Sequence, residues 1–262
     1  MEQVIVNGTR IAVQVEGRGP PLLLLHGLGG SHEDWSAQLP AFTRRYRVIA
    51  PDLRGFGGSE RREPFTVQQH ARDAAALLAA LDAPRAHVVG LSMGGAVAIE
   101  LALARPERVA GLVLANTAPS FALHGWQRRY MAVSRLLLAL LFGVSGVARL
   151  LGKAMLPAPH QERLRRQLLE HASRTSRWVY IASLRALVRW NAERRLGSIR
   201  SPTLVLGGEY DFTSIDEKRR WATRLPAAQV VMLPASRHRS ELDAPTAFNE
   251  AVMRFLVELP DP

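Results

Sequence analysis

The sequence predicts an α/β fold in which helices cover both faces of a mostly parallel sheet. Uninterrupted apolar runs such as residues 22–25 are typical of strands buried on both faces. Alanine- and leucine-rich stretches such as residues 66–81 lie between these runs and predict helices. Strand and helix alternate along much of the chain, which favours parallel strands joined by helical crossovers.

The elements can be placed in order along the chain. The predicted strands are residues 3–6, 10–16, 22–25, 48–50, 87–89, 112–114, 203–206 and 230–233. The predicted helices are residues 66–81, 96–105, 215–225 and 246–256. Asn7-Gly8 joins the first two strands and is a strong hairpin signal.

The alternation is interrupted between Pro119 and Ser201, where helical periodicity continues without a convincing strand. We therefore expect a core of residues 1–118 and 202–262, with a helical cap of residues 119–201 inserted into it. The inserted segment is basic: residues 119–200 hold 15 Lys and Arg against three acids, while the whole chain has a net charge of +11. This charge is explained by a bias toward arginine on solvated helix faces, or by steering of anionic substrates toward a cleft.

Composition restricts the classes of protein to which the chain can belong. It has no cysteine, so disulfides, thiol nucleophiles and cysteine-ligated metals are excluded. The first residues lack the pattern of a secretory signal, and the longest nearly apolar run, between Arg135 and Arg149, is too short to span a bilayer. We expect a cytoplasmic protein with no membrane-spanning segment. No nucleic-acid recognition motif accompanies the basic charge, so no nucleic-acid partner is expected.

The strongest chemical signal is Gly90-Leu91-Ser92-Met93-Gly94, which follows a predicted strand and precedes a predicted helix. The Gly-x-Ser-x-Gly spacing is typical of a sharp strand-to-helix turn that presents a nucleophilic serine. The glycines let neighbouring backbone pass closely, and the helix N-terminus favours developing negative charge. The alternative is a tight turn with a capping serine.

A second glycine-rich loop, His26-Gly27-Leu28-Gly29-Gly30, follows the strand at residues 22–25. Backbone N–H groups can stabilise the oxyanion of an acyl-transfer reaction. The expected donors are the N–H groups of Leu28 and Met93. His26 is interpreted as a structural histidine that supports the loop, and the alternative for the loop is an ordinary glycine turn.

The serine turn and the histidine–glycine loop resemble motifs of the α/β-hydrolase superfamily. The resemblance extends over nearly the whole chain, because three other features also match: Asp52-Leu53-Arg54-Gly55-Phe56-Gly57-Gly58-Ser59, Gly208-Glu209-Tyr210-Asp211 and the late His238. Residues 90–95 and 114–118 are similar to those of 3-oxoadipate enol-lactonases and related carboxylesterases.

This resemblance implies an eight-stranded sheet and a catalytic triad in the chain order Ser92, Asp211, His238. Asp211 follows a predicted strand, and His238 is the only histidine after Asp211 in the sequence. Glu209 and Asp216 are alternative acids. In some relatives the acid follows the preceding strand, but the residue near that position here is the uncharged Asn116.

The resemblance implies hydrolysis of a carboxylic ester or lactone, a small-molecule substrate, through an acyl-enzyme intermediate. A C–C bond hydrolase of the meta-cleavage type, a perhydrolase or acyltransferase, and a non-enzymatic ligand receptor remain as alternatives. We expect aromatic residues of the inserted segment to line the substrate pocket, and we select Trp126, Tyr130 and Phe142. No cofactor or metal is expected, and the oligomeric state is left open.

Overall fold

The computed structural model describes the backbone of residues 1–122 and 126–262, and the side chains of these residues apart from 126–129 and 131. The strands are β1 (Glu2–Val6), β2 (Thr9–Glu16), β3 (Pro21–Leu25), β4 (Arg47–Pro51), β5 (Ala86–Leu91), β6 (Val109–Ala115), β7 (Thr203–Gly208) and β8 (Ala228–Leu233). The helices are α1 (Leu39–Phe42), α2 (Val67–Ala80), α3 (Met93–Ala104), α4 (Trp126–Met155), α5 (Glu162–Arg174), α6 (Arg177–Arg189), α7 (Ile215–Ala222), α8 (Ser240–Asp243) and α9 (Pro245–Val257).

The strands form one eight-stranded sheet in the order β1-β2-β4-β3-β5-β6-β7-β8. β1 pairs with β2 and β2 with β4 in antiparallel fashion, whereas every pair from β4 to β8 is parallel. Asn7 and Gly8 both have positive φ angles at the β1–β2 turn, as a tight hairpin requires. The predicted α/β class and the eight-stranded, mostly parallel sheet are confirmed.

Helices cover both faces of this sheet. In β3, Leu22 and Leu24 pack in one hydrophobic core with α1 and α9, while Leu23 and Leu25 pack in another with α2, α3 and α7. Alternate side chains of one strand therefore enter opposite cores, which explains why its sequence is apolar without interruption. The carboxyl ends of the parallel strands meet at one edge, where binding sites form in open α/β sheets.

The segment between β6 and β7 contributes α4, α5 and α6. Parts of these helices share a hydrophobic cluster that includes Ala139, Val147, Ala172 and Leu184. The backbone of α4 leaves helical geometry at Gly143, whose φ is 66°, so α4 consists of two helical pieces joined at a bend. The division into core and cap stays a prediction, because shared packing does not by itself define a separate unit.

The α4 helix has an unusually apolar outer surface. Within it, Ala132–Met155 is long and apolar enough to cross a membrane by length and composition, and only 22% of its most apolar window is buried. The exposed large apolar side chains include Val133, Leu137, Leu141 and Phe142. In the sequence, the apolar run between Arg135 and Arg149 is too short for a span, and none was expected. The bend at Gly143 divides this stretch into two shorter helical pieces.

One buried histidine makes the stability of the fold sensitive to acid. His70 in α2 is 1% exposed, and neither ring nitrogen has a hydrogen-bond partner among the described residues. Burial lowers the pKa of its imidazole from 6.5 to about 4, because charging the buried ring is unfavourable. The unfolded chain thus binds this proton at a higher pH than the folded chain, so stability present above pH 6.5 should be lost as the pH falls toward 4.

We expect His70→Leu to reduce this acid sensitivity. The titration of His70 corresponds to a loss of stability on the order of 2–3 kcal/mol between pH 7 and pH 4.5. Urea denaturation at both pH values measures this loss in the wild type and the variant. His160→Gln, which alters an exposed histidine, is the matched control and should respond as the wild type does. An equal loss in His70→Leu and wild type would contradict the expectation.

Candidate active site

Ser92 occupies the sharp turn between β5 and α3. Its backbone has φ 53° and ψ −113°, a strained conformation that costs about 1–3 kcal/mol in a residue other than glycine. A Cβ on Gly94 would lie 2.0 Å from the carbonyl oxygen of Leu25, and one on Gly90 would lie 2.4 Å from the carbonyl oxygen of Gly94. Both glycines are therefore required for the close backbone approach that the spacing predicts.

Ser92, His238 and Asp211 form a continuous hydrogen-bonded chain, although they come from three separate loops. Ser92 Oγ lies 3.1 Å from His238 Nε2, and His238 Nδ1 lies 2.6 Å from Asp211 Oδ1. Since the Asp211 carboxylate can only accept, it favours the tautomer with the hydrogen on Nδ1. Nε2 is then free to accept the hydrogen of the Ser92 hydroxyl, which is the arrangement needed to activate an alcohol as a nucleophile.

Lys218 binds the second carboxylate oxygen of Asp211, a role that was not predicted from the sequence. Lys218 Nζ lies 2.6 Å from Asp211 Oδ2, and its side chain is fully buried. Burial alone would raise the pKa of Asp211, but contacts with His238 and Lys218 outweigh it and hold the pKa below its ordinary value. One feature of the sequence could have indicated that Lys218 is buried. It lies three residues from both Ile215 and Trp221, which places it with them on the inner side of α7.

Asn116, at the end of β6, ties together the two loops that carry His238 and Asp211. Its Nδ2 donates to the carbonyl oxygen of His238 at 3.0 Å and to Ser240 Oγ at 2.6 Å, while its Oδ1 accepts from the N–H of Gly208 at 2.8 Å. Its φ of 45° is unusual for a residue other than glycine. An uncharged residue at this position thus supports the loops, and it does so through contacts that are distant in the sequence.

The alternative acids make other contacts. Glu209 accepts a hydrogen bond from the N–H of Ala235 at 2.8 Å, and Asp216 pairs with Arg219 on the surface. Of the three acids, it is Asp211 that contacts His238. Among the described residues, no group of three or more His, Cys, Asp or Glu side chains is arranged to hold a metal ion.

Of the two residues expected from sequence to provide backbone donors, Leu28 lines the cavity and Met93 directly follows Ser92 in the chain. The histidine–glycine loop contacts the serine turn, since a Cβ on Gly27 would lie 3.5 Å from Ser92 Cβ. Neither Leu28 nor Met93 donates its N–H to another group of the described chain. His26 is buried, its Nδ1 lies 2.8 Å from the Gly27 carbonyl oxygen, and its Nε2 accepts from the N–H of Leu53. These contacts agree with a structural role for His26.

A cavity with two lobes opens on Ser92. Leu28, Ser92, Arg135 and His238 line both lobes. The polar lobe is the part lined by Gly29, Asp34, Val147, His171, Tyr180 and Arg239. The apolar lobe is the part lined by Ala118, Phe121, Ala132, Leu187, Val188 and Phe212. The arrangement provides room for the two halves of a molecule whose reactive atom lies at Ser92.

Two of the three predicted pocket residues, Tyr130 and Phe142, do not line this cavity. Tyr130 and Phe142 are 69% and 67% exposed, and their selection was wrong. Tyr130 lies five residues before Arg135, which places the two on different sides of the helix. Phe142 is the last residue before the bend at Gly143. The side chain of Trp126 lies outside the described residues. Among the described side chains of the inserted segment, the aromatic residues Phe121 and Tyr180 line the cavity.

Comparisons with known proteins agree with the fold and with the resemblance. Residues 20–245 match the family described as the alpha/beta hydrolase fold. The chain is 34% identical to the "Putative carbamate hydrolase RutD" of Caulobacter sp. (strain K31), with 90% of each chain covered. It is 28% identical to 3-oxoadipate enol-lactonase 1 of Acinetobacter baylyi, with 95% of this chain and 94% of that protein covered.

A solved structure gives the same result. The enol-lactonase of Burkholderia xenovorans LB400 is similar with a TM-score of 0.89 and 26% identity, over 98% of this chain and 100% of that chain. The family and these names support hydrolase activity on a small-molecule substrate. The family match covers most of the chain, and the eight-stranded sheet and the serine turn agree with it. This chain therefore belongs to the α/β-hydrolase fold family.

Proposed function

We propose that this protein hydrolyses a carboxylic ester or lactone through an acyl-enzyme intermediate on Ser92. The observation that carries the proposal is the hydrogen-bonded chain from Asp211 through His238 to Ser92 Oγ, at the base of a two-lobed cavity. Serine hydrolases require a nucleophile, a base within hydrogen-bond reach and a group that orients the base. The distances and the partners of the three side chains support these roles.

Acylation of Ser92 is the first half of the proposed reaction. His238 Nε2 takes the hydroxyl proton as Ser92 Oγ bonds to the carbonyl carbon, and the π electrons of the carbonyl move to its oxygen. The N–H groups of Leu28 and Met93 donate to this oxyanion. When the carbonyl re-forms, the C–O bond to the leaving alcohol breaks and His238 gives the alcohol its proton. In a lactone, the alcohol stays attached to the acyl group.

Deacylation reverses these roles with water as the nucleophile. His238 takes a proton from water as the water oxygen bonds to the acyl carbon, and Ser92 Oγ leaves with that proton. The products are a carboxylic acid and an alcohol. Asp211 remains ionised throughout and stabilises the imidazolium of His238, a role that its low pKa and its contact with Lys218 favour.

In this proposal, residues 119–201 form the cap that closes the cavity over the core of residues 1–118 and 202–262. The inserted helices supply much of both lobes, including Arg135, Leu187 and Tyr180. The scissile carbonyl lies at Ser92, with one side of the substrate in each lobe. Excluding water from such a site strengthens the electrostatic interactions inside it.

The proposal is tested by the turnover of a panel of acyl substrates before and after labelling with an alkyl fluorophosphonate, which reacts with activated serines. The panel contains 4-nitrophenyl esters of increasing acyl length, a lactone, and a 4-nitrophenyl carbamate suggested by the relative from Caulobacter. We expect ester or lactone turnover with a defined length optimum, lost in proportion to labelling. Turnover that survives complete labelling would overturn the proposal.

The alternatives give different results in the same panel. Cleavage of a vinylogous diketone without ester turnover would identify a C–C bond hydrolase. Preference for peroxide or an alcohol over water as acyl acceptor would identify a perhydrolase or acyltransferase. Saturable binding without turnover of any substrate would identify a ligand receptor.

A further inference from the structure

Within the part of the chain that the structure describes, Arg135 is the cationic side chain of the cavity wall that has no anionic partner. It lies on α4 and lines both lobes beside Ser92 and His238. Its guanidinium carbon is 5.5 Å from the ring centroid of Phe212, and it forms no ion pair with a carboxylate among the described residues. Its Nε is buried and has no hydrogen-bond partner in the described ranges 1–122 and 126–262. A buried charged donor without a partner is costly, which points to a ligand that completes it.

The other charged groups around the polar lobe already have partners. Arg239 contacts both Asp34 and Glu241 in a buried cluster. His171 Nε2 lies 2.6 Å from a Glu33 oxygen. Among the described residues, each acid around the polar lobe thus pairs with a group other than Arg135.

The remaining acid that lines the apolar lobe is also engaged. Asp211 is held by Lys218 and by His238, so it is not available to pair with Arg135. The walls of that lobe combine the apolar Phe121, Leu187 and Val188 with uncharged polar residues, namely Asn116, Thr117, Ser120 and Thr213. An anion that enters the cavity therefore finds the guanidinium of Arg135 beside the ring of Phe212, in a partly enclosed site where hydrogen bonds to charged groups are stronger than in water.

We propose that Arg135 binds a carboxylate of the substrate, so that the preferred substrates are esters or lactones that carry a free carboxylate group. This inference rests on the proposed function and defines its substrate class. A guanidinium presents parallel N–H donors that match the two oxygens of a carboxylate. The basic character of residues 119–200 fits the same class, because a positive surface raises the rate at which anionic substrates reach the cavity.

The test compares two esters that differ in one charge. The anionic ester is mono-4-nitrophenyl glutarate, and the neutral ester is the same molecule with its free carboxylate methylated. The readout is the ratio of kcat/KM for the anionic ester to kcat/KM for the neutral ester. We expect Arg135→Gln to lower this ratio by about 10- to 100-fold, as loss of a hydrogen bond to a charged group does. Arg135→Lys should retain part of the preference.

Arg149→Gln is the matched control, because Arg149 is an exposed arginine on the same helix and does not line either lobe. It removes the same charge from α4 and should leave the ratio unchanged. Thermal melts of each variant show whether the fold is retained. A ratio in Arg135→Gln equal to that of the wild type would overturn the role of Arg135.

A second measurement separates this inference from the proposed function. If the wild type hydrolyses neither these two esters nor any ester or lactone of the panel, the proposed function fails, and binding of glutarate is then measured by calorimetry. The Arg135 site predicts that glutarate binds to the wild type and that Arg135→Gln weakens its affinity at least about 10-fold. Equal affinities, or no binding to the wild type, would overturn the carboxylate site at Arg135 independently of the proposed function.

Discussion

Ser92→Ala is expected to lower kcat for the best ester or lactone by about 10⁶-fold, because the reaction loses the atom that forms the acyl-enzyme. The serine lies at a strained turn between β5 and α3, with its Oγ hydrogen-bonded to His238. Alanine fits the same backbone as serine, so the thermal melt should change little. The measurement is single-turnover and steady-state hydrolysis at matched protein concentration.

Residues that act as one catalytic unit give effects that do not add. His238→Ala should therefore lower kcat nearly as far as Ser92→Ala, and the double variant should be no slower than Ser92→Ala alone. His160→Ala provides the matched control, since it removes an exposed histidine that does not line the cavity. Additive losses in the double variant would show that the two residues act in separate steps, against the proposed mechanism.

The second large effect is expected from Asp211→Asn, which should lower kcat by about 10⁴-fold. The amide can no longer stabilise the imidazolium of His238, and it no longer favours the tautomer in which Nε2 accepts from Ser92. The same change leaves the ammonium of Lys218 buried without its carboxylate partner. Stability should therefore fall by about 3 kcal/mol or more, measured by urea denaturation.

Two further variants separate the catalytic effect from the structural one. Asp211→Asn combined with Lys218→Met should recover much of the lost stability, because both partners of the buried ion pair are then uncharged, but it should not recover activity. Asp216→Asn, five residues along the chain on the surface, should change neither quantity. Recovery of activity in the double variant would mean that Asp211 has only a structural role.

Most of the fold could be predicted from local sequence patterns. The apolar run of β3 is buried on both faces, and Asn7-Gly8 forms the β1–β2 turn, because each feature depends on residues close together in the sequence. The inner and outer faces of α4 were harder to predict. Residues 132–142 carry large apolar side chains on the outer face as well as the inner face, so helical periodicity could not show that Arg135 faces the cavity and Tyr130 faces solvent.

The site was predictable only where a motif or an elimination identified its residues. Ser92 stands in a recognisable turn, and His238 is the one histidine after Asp211. Lys218 and Asn116 were missed because their roles depend on contacts that form only in the folded chain. Asn116, for example, reaches a residue 122 positions away in the sequence. No spacing rule in a single sequence reports such a contact.

The most direct test of the acyl-enzyme is intact-protein mass spectrometry of a reaction with the best 4-nitrophenyl ester, quenched in acid during the first turnover. The account predicts a species heavier by one acyl group, with the group mapped by peptide fragmentation to Ser92 and absent from Ser92→Ala. It also predicts that His238→Ala accumulates this species slowly. Turnover of the ester with no acylated protein at any time, or with the acyl group on another residue, would contradict the account.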